Sequence, residues 1–144
     1  MLLITEPRLS VDEALLAGRE RDTVRLGWEE RRWNRRRLVT AGGREVALAL
    51  PTGSVLEPGA IIAVEPDWYL VVESRPEPLL AIYPESHDEA VRIAFDVGNR
   101  HFTLAMEDGV LLVPDDLAME QLASRLGVRW DRRQAPYAPL DGDD

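Results

Sequence analysis

The stretch SHDEAVRIAFDVGNRHFTL, Ser86–Leu104, decides the fold of the second half of the chain. Ser86 followed three residues later by Glu89 is a helix-start signature. The hydroxyl and the carboxylate can each satisfy a backbone N–H that the first turn leaves open. Val91, Ala94 and Phe95 fall on one helical face and read as its apolar side. Gly98 is the expected end of the helix. Beyond Asn99 and Arg100 comes His101, one of 2 histidines in the chain, and then an alternating segment.

Working outward, LLAIY (Leu79–Tyr83) is a short apolar run that reads as a buried strand. HFTLAME and VLLV flank Glu107-Asp108-Gly109, a hairpin with Asp-Gly as its turn. PDDLAMEQLASRLG is a second helix, capped by Asp115 or Asp116 and closed by Gly127, with Ala118, Met119, Leu122, Ala123 and Leu126 as its stripe. VRWDRRQ is a last strand, followed by APYAPLDGDD. The order β-α-β-β-α-β is the ferredoxin-like, split βαβ arrangement. Helices cover one face of such a sheet, and the other is expected to be free for a partner, a second domain or a ligand.

The first half has a different rhythm. LLIT (Leu2–Thr5), DTVRLGW (Asp22–Trp28), a hairpin over Arg36–Leu50 around Gly42-Gly43, and GAIIAVE and WYLVVES around Pro66-Asp67 read as short strands. A helical turn is possible over Val11–Ala17, with Ser10 as its cap. Close-set strands suggest a small β-barrel or sandwich. RPEPLL (Arg75–Leu80) interrupts the pattern and marks a boundary. The expectation is an α+β chain: a small all-β domain over 1–75, then a ferredoxin-like domain over 76–144.

Composition narrows the chemistry. The chain has 144 residues, no cysteine and a net charge of −9. Thiolate metal sites and disulfides are excluded. An acidic chain is a poor ligand for nucleic acid or an anionic membrane. No apolar run approaches the length of a membrane span, and the N-terminus has no positive n-region, so a cytoplasmic location is expected. All 17 basic residues are arginine, which removes lysine Schiff-base and P-loop chemistry. Residues 1–75 hold 11 arginines against 12 acids, and residues 76–144 hold 6 against 14, so the second half favours cations.

No nucleophile elbow, Walker loop, dinucleotide fingerprint or HExxH is present. Paired acids such as Glu29-Glu30 and Asp115-Asp116 lack a histidine or lysine partner and read as surface acids or caps. The chain is not expected to be an enzyme. ERRWNRRRL (Glu30–Leu38) reads either as arginines packed along Trp33 or as a docking patch for an acidic partner. His87 lies in the first turn of a helix and reads as an ordinary surface residue. His101 follows a helix C-terminus, whose dipole favours a cation. A lone histidine is more often structural than ligating.

AFDVGNRHFTL resembles the Gly-Asn-Arg-His signature of the urease accessory nickel metallochaperones, the UreE family. GREVALALPTGSVLEPGAIIAVE is similar to that family's N-terminal domain, with a Leu-Pro-x-Gly turn at Leu50, Pro51 and Gly53. QAPYAP (Gln134–Pro139) resembles the segment before the family's tail. The resemblance implies a homodimer in which His101 lies at the interface and two copies hold one Ni²⁺ across the two-fold axis. Zn²⁺ and Cu²⁺ would compete for the same site. It implies apo-urease and the urease accessory GTPase complex as partners, with contacts made by the N-terminal domain. Asn99 and Arg100 are expected to fix the junction rather than touch metal.

Two departures stand out. Many family members end in a histidine-rich tail, whereas this chain ends in LDGDD, and Pro114, Asp115 and Asp116 stand where some members have histidines. Asp141, Asp143 and Asp144 can offer oxygen ligands, but these favour hard cations over nickel. The functional expectation is a metallochaperone delivering nickel to apo-urease. The rival is a non-catalytic scaffold of urease assembly that binds metal only incidentally. The dimer interface is expected on the free face and edges of the C-terminal sheet, including Phe102.

Overall fold

The computed structural model describes residues 1–140. The chain divides into two compact units, Met1–Arg75 and Pro76–Asp144.

The first unit contains six strands: β1 (Leu2–Ile4), β2 (Glu20–Leu26), β3 (Arg35–Val39), β4 (Glu45–Ala49), β5 (Ile61–Val64) and β6 (Trp68–Ser74). They form two three-stranded sheets, ordered β1-β4-β3 and β2-β6-β5. The pairs β1–β4 and β2–β6 are parallel, while β3–β4 and β5–β6 are antiparallel. Alternate residues of both sheets meet in one cluster: Val46 and Leu48, Val24 and Leu26, Leu70 and Val72, with Ile4, Leu50, Leu56 and Ile62. Each large apolar side chain buried in this way contributes about 1.5–3 kcal/mol. The helical turn over Glu13–Leu16 is 3-10, and its cap is Asp12, not Ser10; the Asp12 carboxylate accepts from the Ala14 N–H at 3.1 Å.

One charge is built into this unit. Asp22, on β2, is 4% exposed. Its carboxylate accepts from the Thr23 and Gly42 N–H groups at 2.8 Å, from the Thr40 hydroxyl at 2.5 Å and from Arg44 Nη1 at 2.9 Å. It thus ties β2 to the β3–β4 turn. A Cβ at Gly42 would stand 2.8 Å from Arg44 Nη1 and 2.9 Å from Asp22 Oδ2, so only glycine permits the approach. Burial pushes the Asp22 carboxyl up, but the four donors outweigh it and hold the group below its usual 3.8.

The second unit runs β7 (Glu77–Tyr83), α1 (His87–Asn99), β8 (Ala105–Glu107), β9 (Val110–Pro114), α2 (Leu117–Leu126) and β10 (Arg129–Ala135). The sheet order is β10-β7-β9-β8 with every pair antiparallel, the ferredoxin-like order. Ser86 accepts from the Glu89 N–H, and the Glu89 carboxylate reaches back to the Glu85 N–H. Asp116 caps α2, and Gly127 closes it in the left-handed region at φ 70°. Asp108 and Gly109 have φ of 50° and 78°, as a two-residue hairpin turn requires. The core joins Leu80, Ile82, Leu111 and Val113 of the sheet to Ala90, Ile93 and Val97 of α1 and Met119, Leu122 and Ala123 of α2.

Leu79, Ala81 and Leu112 alternate with the core residues and lie on the sheet's other face, each at most 1% exposed. Phe102 packs onto the helical core. One expectation fails here: the apolar side of α1 is not the expected one. Ala90, Ile93 and Val97 face the sheet, whereas Val91 and Phe95 are exposed. Helix α1 carries two adjoining apolar stripes, and the core takes only one. No helix among the described residues is long and apolar enough to cross a membrane.

Candidate metal centre

The end of α1 sets the geometry. Helix α1 runs past Gly98 to Asn99, with Arg100 as its cap. The His101 N–H then bonds the Gly98 carbonyl at 2.9 Å, and the Phe102 N–H bonds the Val97 carbonyl at 3.3 Å. This bond pair is the Schellman motif, whose turning residue must be left-handed. That residue is His101, with φ 63°. Gly98 does not make the turn, contrary to the sequence reading. Phe102 packs onto the cluster that holds Val97, anchoring the chain just beyond the turn.

The turn holds the His101 backbone firmly and leaves its side chain exposed. The Arg100 guanidinium returns to the Asp96 carbonyl at 3.3 Å, so its positive charge is engaged with its own helix end. This agrees with Arg100 fixing the junction. A second tie comes from further along the chain. Tyr137, 1% exposed, hydrogen-bonds through its hydroxyl to Thr103 Oγ1 at 2.8 Å, and the Leu140 N–H bonds the Leu104 carbonyl at 2.7 Å. Burial is the main cause that pushes the Tyr137 phenol up to about 12. The segment following His101 is thereby tied at two points to residues 137–140.

Within one chain the histidine stands without companions. His87 and His101 sit at opposite ends of α1, about 21 Å apart along its axis at 1.5 Å per residue. Among the described residues no group of three or more histidines, acids or cysteines could hold a metal ion. The acids considered as helpers are otherwise engaged or undescribed. Asp115 pairs with Arg132 at 3.4 Å and Asp116 caps α2, while Asp141, Asp143 and Asp144 lie outside the described residues.

Two family models cover nearly the whole chain: the UreE urease accessory protein N-terminal domain over residues 7–75 and its C-terminal domain over residues 77–144. The chain belongs to the UreE family. Among its relatives, the urease accessory protein UreE of Deinococcus radiodurans is 38% identical over 108 residues, covering 75% of this chain and 70% of that one. UreE of Synechococcus sp. strain JA-3-3Ab is 39% identical over 116 residues, covering 79% and 78%. UreE of Ectopseudomonas mendocina is 36% identical over 120 residues, covering 83% and 72%.

In this UreE chain, His101 therefore lies in the matched C-terminal domain, on the turn after α1. Three residues on the flanking segments are not picked out by sequence reasoning. Tyr137 enters the sequence reading only as part of QAPYAP, and nothing local marks it as buried. Val91 and Phe95, which helical spacing places on the apolar side of α1, are 56% and 70% exposed. With Gly98 one turn further on, they form an apolar strip leading to His101. A Cβ at Gly98 would meet nothing within 4 Å. Its missing side chain thus answers no packing need within the chain, although glycine costs a helix about 1 kcal/mol relative to alanine.

Proposed function

We propose that this chain is a cytoplasmic nickel metallochaperone for urease maturation. It acts as a homodimer in which His101 of each copy grips one shared Ni²⁺. The observation that carries this reading is the left-handed histidine. Schellman turns favour glycine at that position, and an imidazole there is a costlier choice that leaves a good nickel ligand exposed on a fixed backbone.

One imidazole holds nickel poorly, and the chain offers no second one nearby. A two-fold axis through the turn doubles every ligand without any new residue. Val91 and Phe95 supply an apolar surface for such a contact, and Gly98 permits close approach of the second copy. Each apolar side chain taken out of water there contributes about 1.5–3 kcal/mol toward the cost of association. Nickel is cargo in this scheme. Sparse protein ligation, completed by water or by the acceptor's own groups, suits a carrier that must release it to apo-urease through the accessory GTPase complex. In this assignment residues 76–144 dimerise and bind metal, and residues 1–75 contact partners.

Calorimetric titration with Ni²⁺ tests the reading. The wild-type chain is expected to take up about one tight ion per two chains, since two imidazoles require two subunits. His101→Ala is expected to take up none. Tight binding that survives in His101→Ala removes His101 from the site. Absence of tight binding in the wild type favours the scaffold alternative.

A further inference from the structure

Strand β3 has β4 on one side and, among the described residues, no strand on the other. The Leu50 N–H donates to the Asn34 carbonyl and the Thr40 N–H to the Arg44 carbonyl, both at 2.8 Å. The even-numbered residues from Asn34 to Thr40 therefore turn their backbone groups toward β4. By alternation, the N–H and C=O groups of Arg35, Arg37 and Val39 point along the open edge. Among the described residues, no backbone hydrogen bond from another segment takes them.

The side chains alternate in the same register. Leu38 packs onto the core, and the Arg36 guanidinium stacks 3.2 Å above the Trp33 ring. Arg35, Arg37 and Val39 lie on the opposite face and are exposed. Their neighbours across β4 are Ala49, Ala47 and Glu45, so two of the three rows are low. Among the described residues neither Arg35 nor Arg37 has a carboxylate within ion-pair distance, although the chain carries 26 acids.

We propose that the β3 edge docks an extended acidic segment of a partner protein, added as a strand with carboxylates at alternate positions opposite Arg35 and Arg37 and an apolar residue opposite Val39. The same three residues present both the open backbone groups and the outward side chains, so a ligand must match both with a period of two. A strand does this; a helix does not, because its own amides are already paired. Charged residues on an edge also discourage self-pairing. Here the charges that repel a second β3 attract an acidic strand. Nucleic acid has no strand to add, and the net charge of −9 opposes it at long range. The inference stands independently of nickel.

Fluorescence anisotropy decides it with a labelled peptide VTETETV, in which alternate positions read Val, Glu, Glu, Val so that either strand direction can set a valine opposite Val39, compared with a peptide of the same composition whose two glutamates are adjacent. The alternating peptide is expected to bind the full-length chain more tightly, with affinity falling as salt rises. Removing two exposed pairs in Arg35→Ala/Arg37→Ala is expected to weaken it about five- to tenfold. Arg35→Glu/Arg37→Glu is expected to weaken it further. Both side-chain pairs are exposed, and unchanged circular dichroism confirms that the variants fold. No binding by the wild type, equal binding of the two peptides, or unchanged affinity in both double variants overturns the proposal. So does tighter binding of a single-stranded RNA oligonucleotide than of the peptide.

Discussion

Replacing His101 separates the cost of the turn from the use of the side chain. At φ 63° any residue with a Cβ pays a left-handed penalty, about 1–2 kcal/mol for an L-residue. His101→Ala keeps that penalty and deletes an exposed side chain, so its stability should stay within about 0.5 kcal/mol of the wild type. His101→Gly removes the penalty but gives the unfolded chain more freedom, at a cost of about 0.4–1 kcal/mol. The glycine variant should therefore be more stable than the alanine variant by about 0.5–1 kcal/mol. For a unit of this size, that corresponds to a rise of about 2–8 °C in Tm. Both variants should lose tight nickel binding. Urea unfolding in chelator, with equal slopes for the two variants, measures the difference without a metal contribution. A glycine variant less stable than the alanine variant would refute the reasoning, because it would mean that the turn is not left-handed in solution.

Other outcomes follow from the same geometry. If the proposed dimer is held by apolar burial rather than by the ion, Phe95→Asp should shift the chain toward monomer in sedimentation, whereas His101→Ala in chelator should stay dimeric; a monomeric His101→Ala reverses that ordering. Imidazole binds metal only in its neutral form, so nickel affinity by equilibrium dialysis should weaken on acidification; affinity that persists into acid points to carboxylate ligands. Asp22→Asn should cost about 2–4 kcal/mol in urea unfolding, because all four neighbours are donors and an amide cannot accept from each of them. The folded pKa of Asp22 lies below 3.8, so its contribution is complete above that pH and is lost as pH falls through the lowered value; the wild type should lose stability there while the variant changes less. Tyr137 has the opposite sign: its folded pKa of about 12 exceeds the usual 10.0, so stability should drop as pH rises from 10 toward 12, and Tyr137→Phe should flatten that drop.

The elements most legible in the sequence are those with local chemistry. Ser86, Asp116, Gly127 and Asp108-Gly109 act through neighbours two to five residues away, and each marks a boundary the structure keeps. What could not be read was nonlocal. Nothing near Glu20 reveals that β2 lies parallel to β6, because the register Glu20↔Trp68 is fixed by burial on both strands. Helix α1 misled for another reason. Val91-Ala94-Phe95 and Ala90-Ile93-Val97 both satisfy helical spacing, and only the sheet's position chooses between them. His101 was visible as a residue, but its conformation was not. A glycine three positions earlier looked like the better terminator, yet the hydrogen bonds place the turn on the histidine.

The parallel pairing of β2 with β6 also constrains how the chain is made. Strand β6 lies between β2 and β5, yet it is the last strand of its unit to leave the ribosome. Until Ser74 has emerged, Val24 and Leu26 lack the strand that pairs with them. The nascent chain thus carries an unpaired apolar strand for about 50 residues of synthesis, roughly 3–10 s at ordinary elongation rates. During that interval the unit cannot complete its core, because Leu70 and Val72 of β6 belong to the same cluster as Val24 and Leu26.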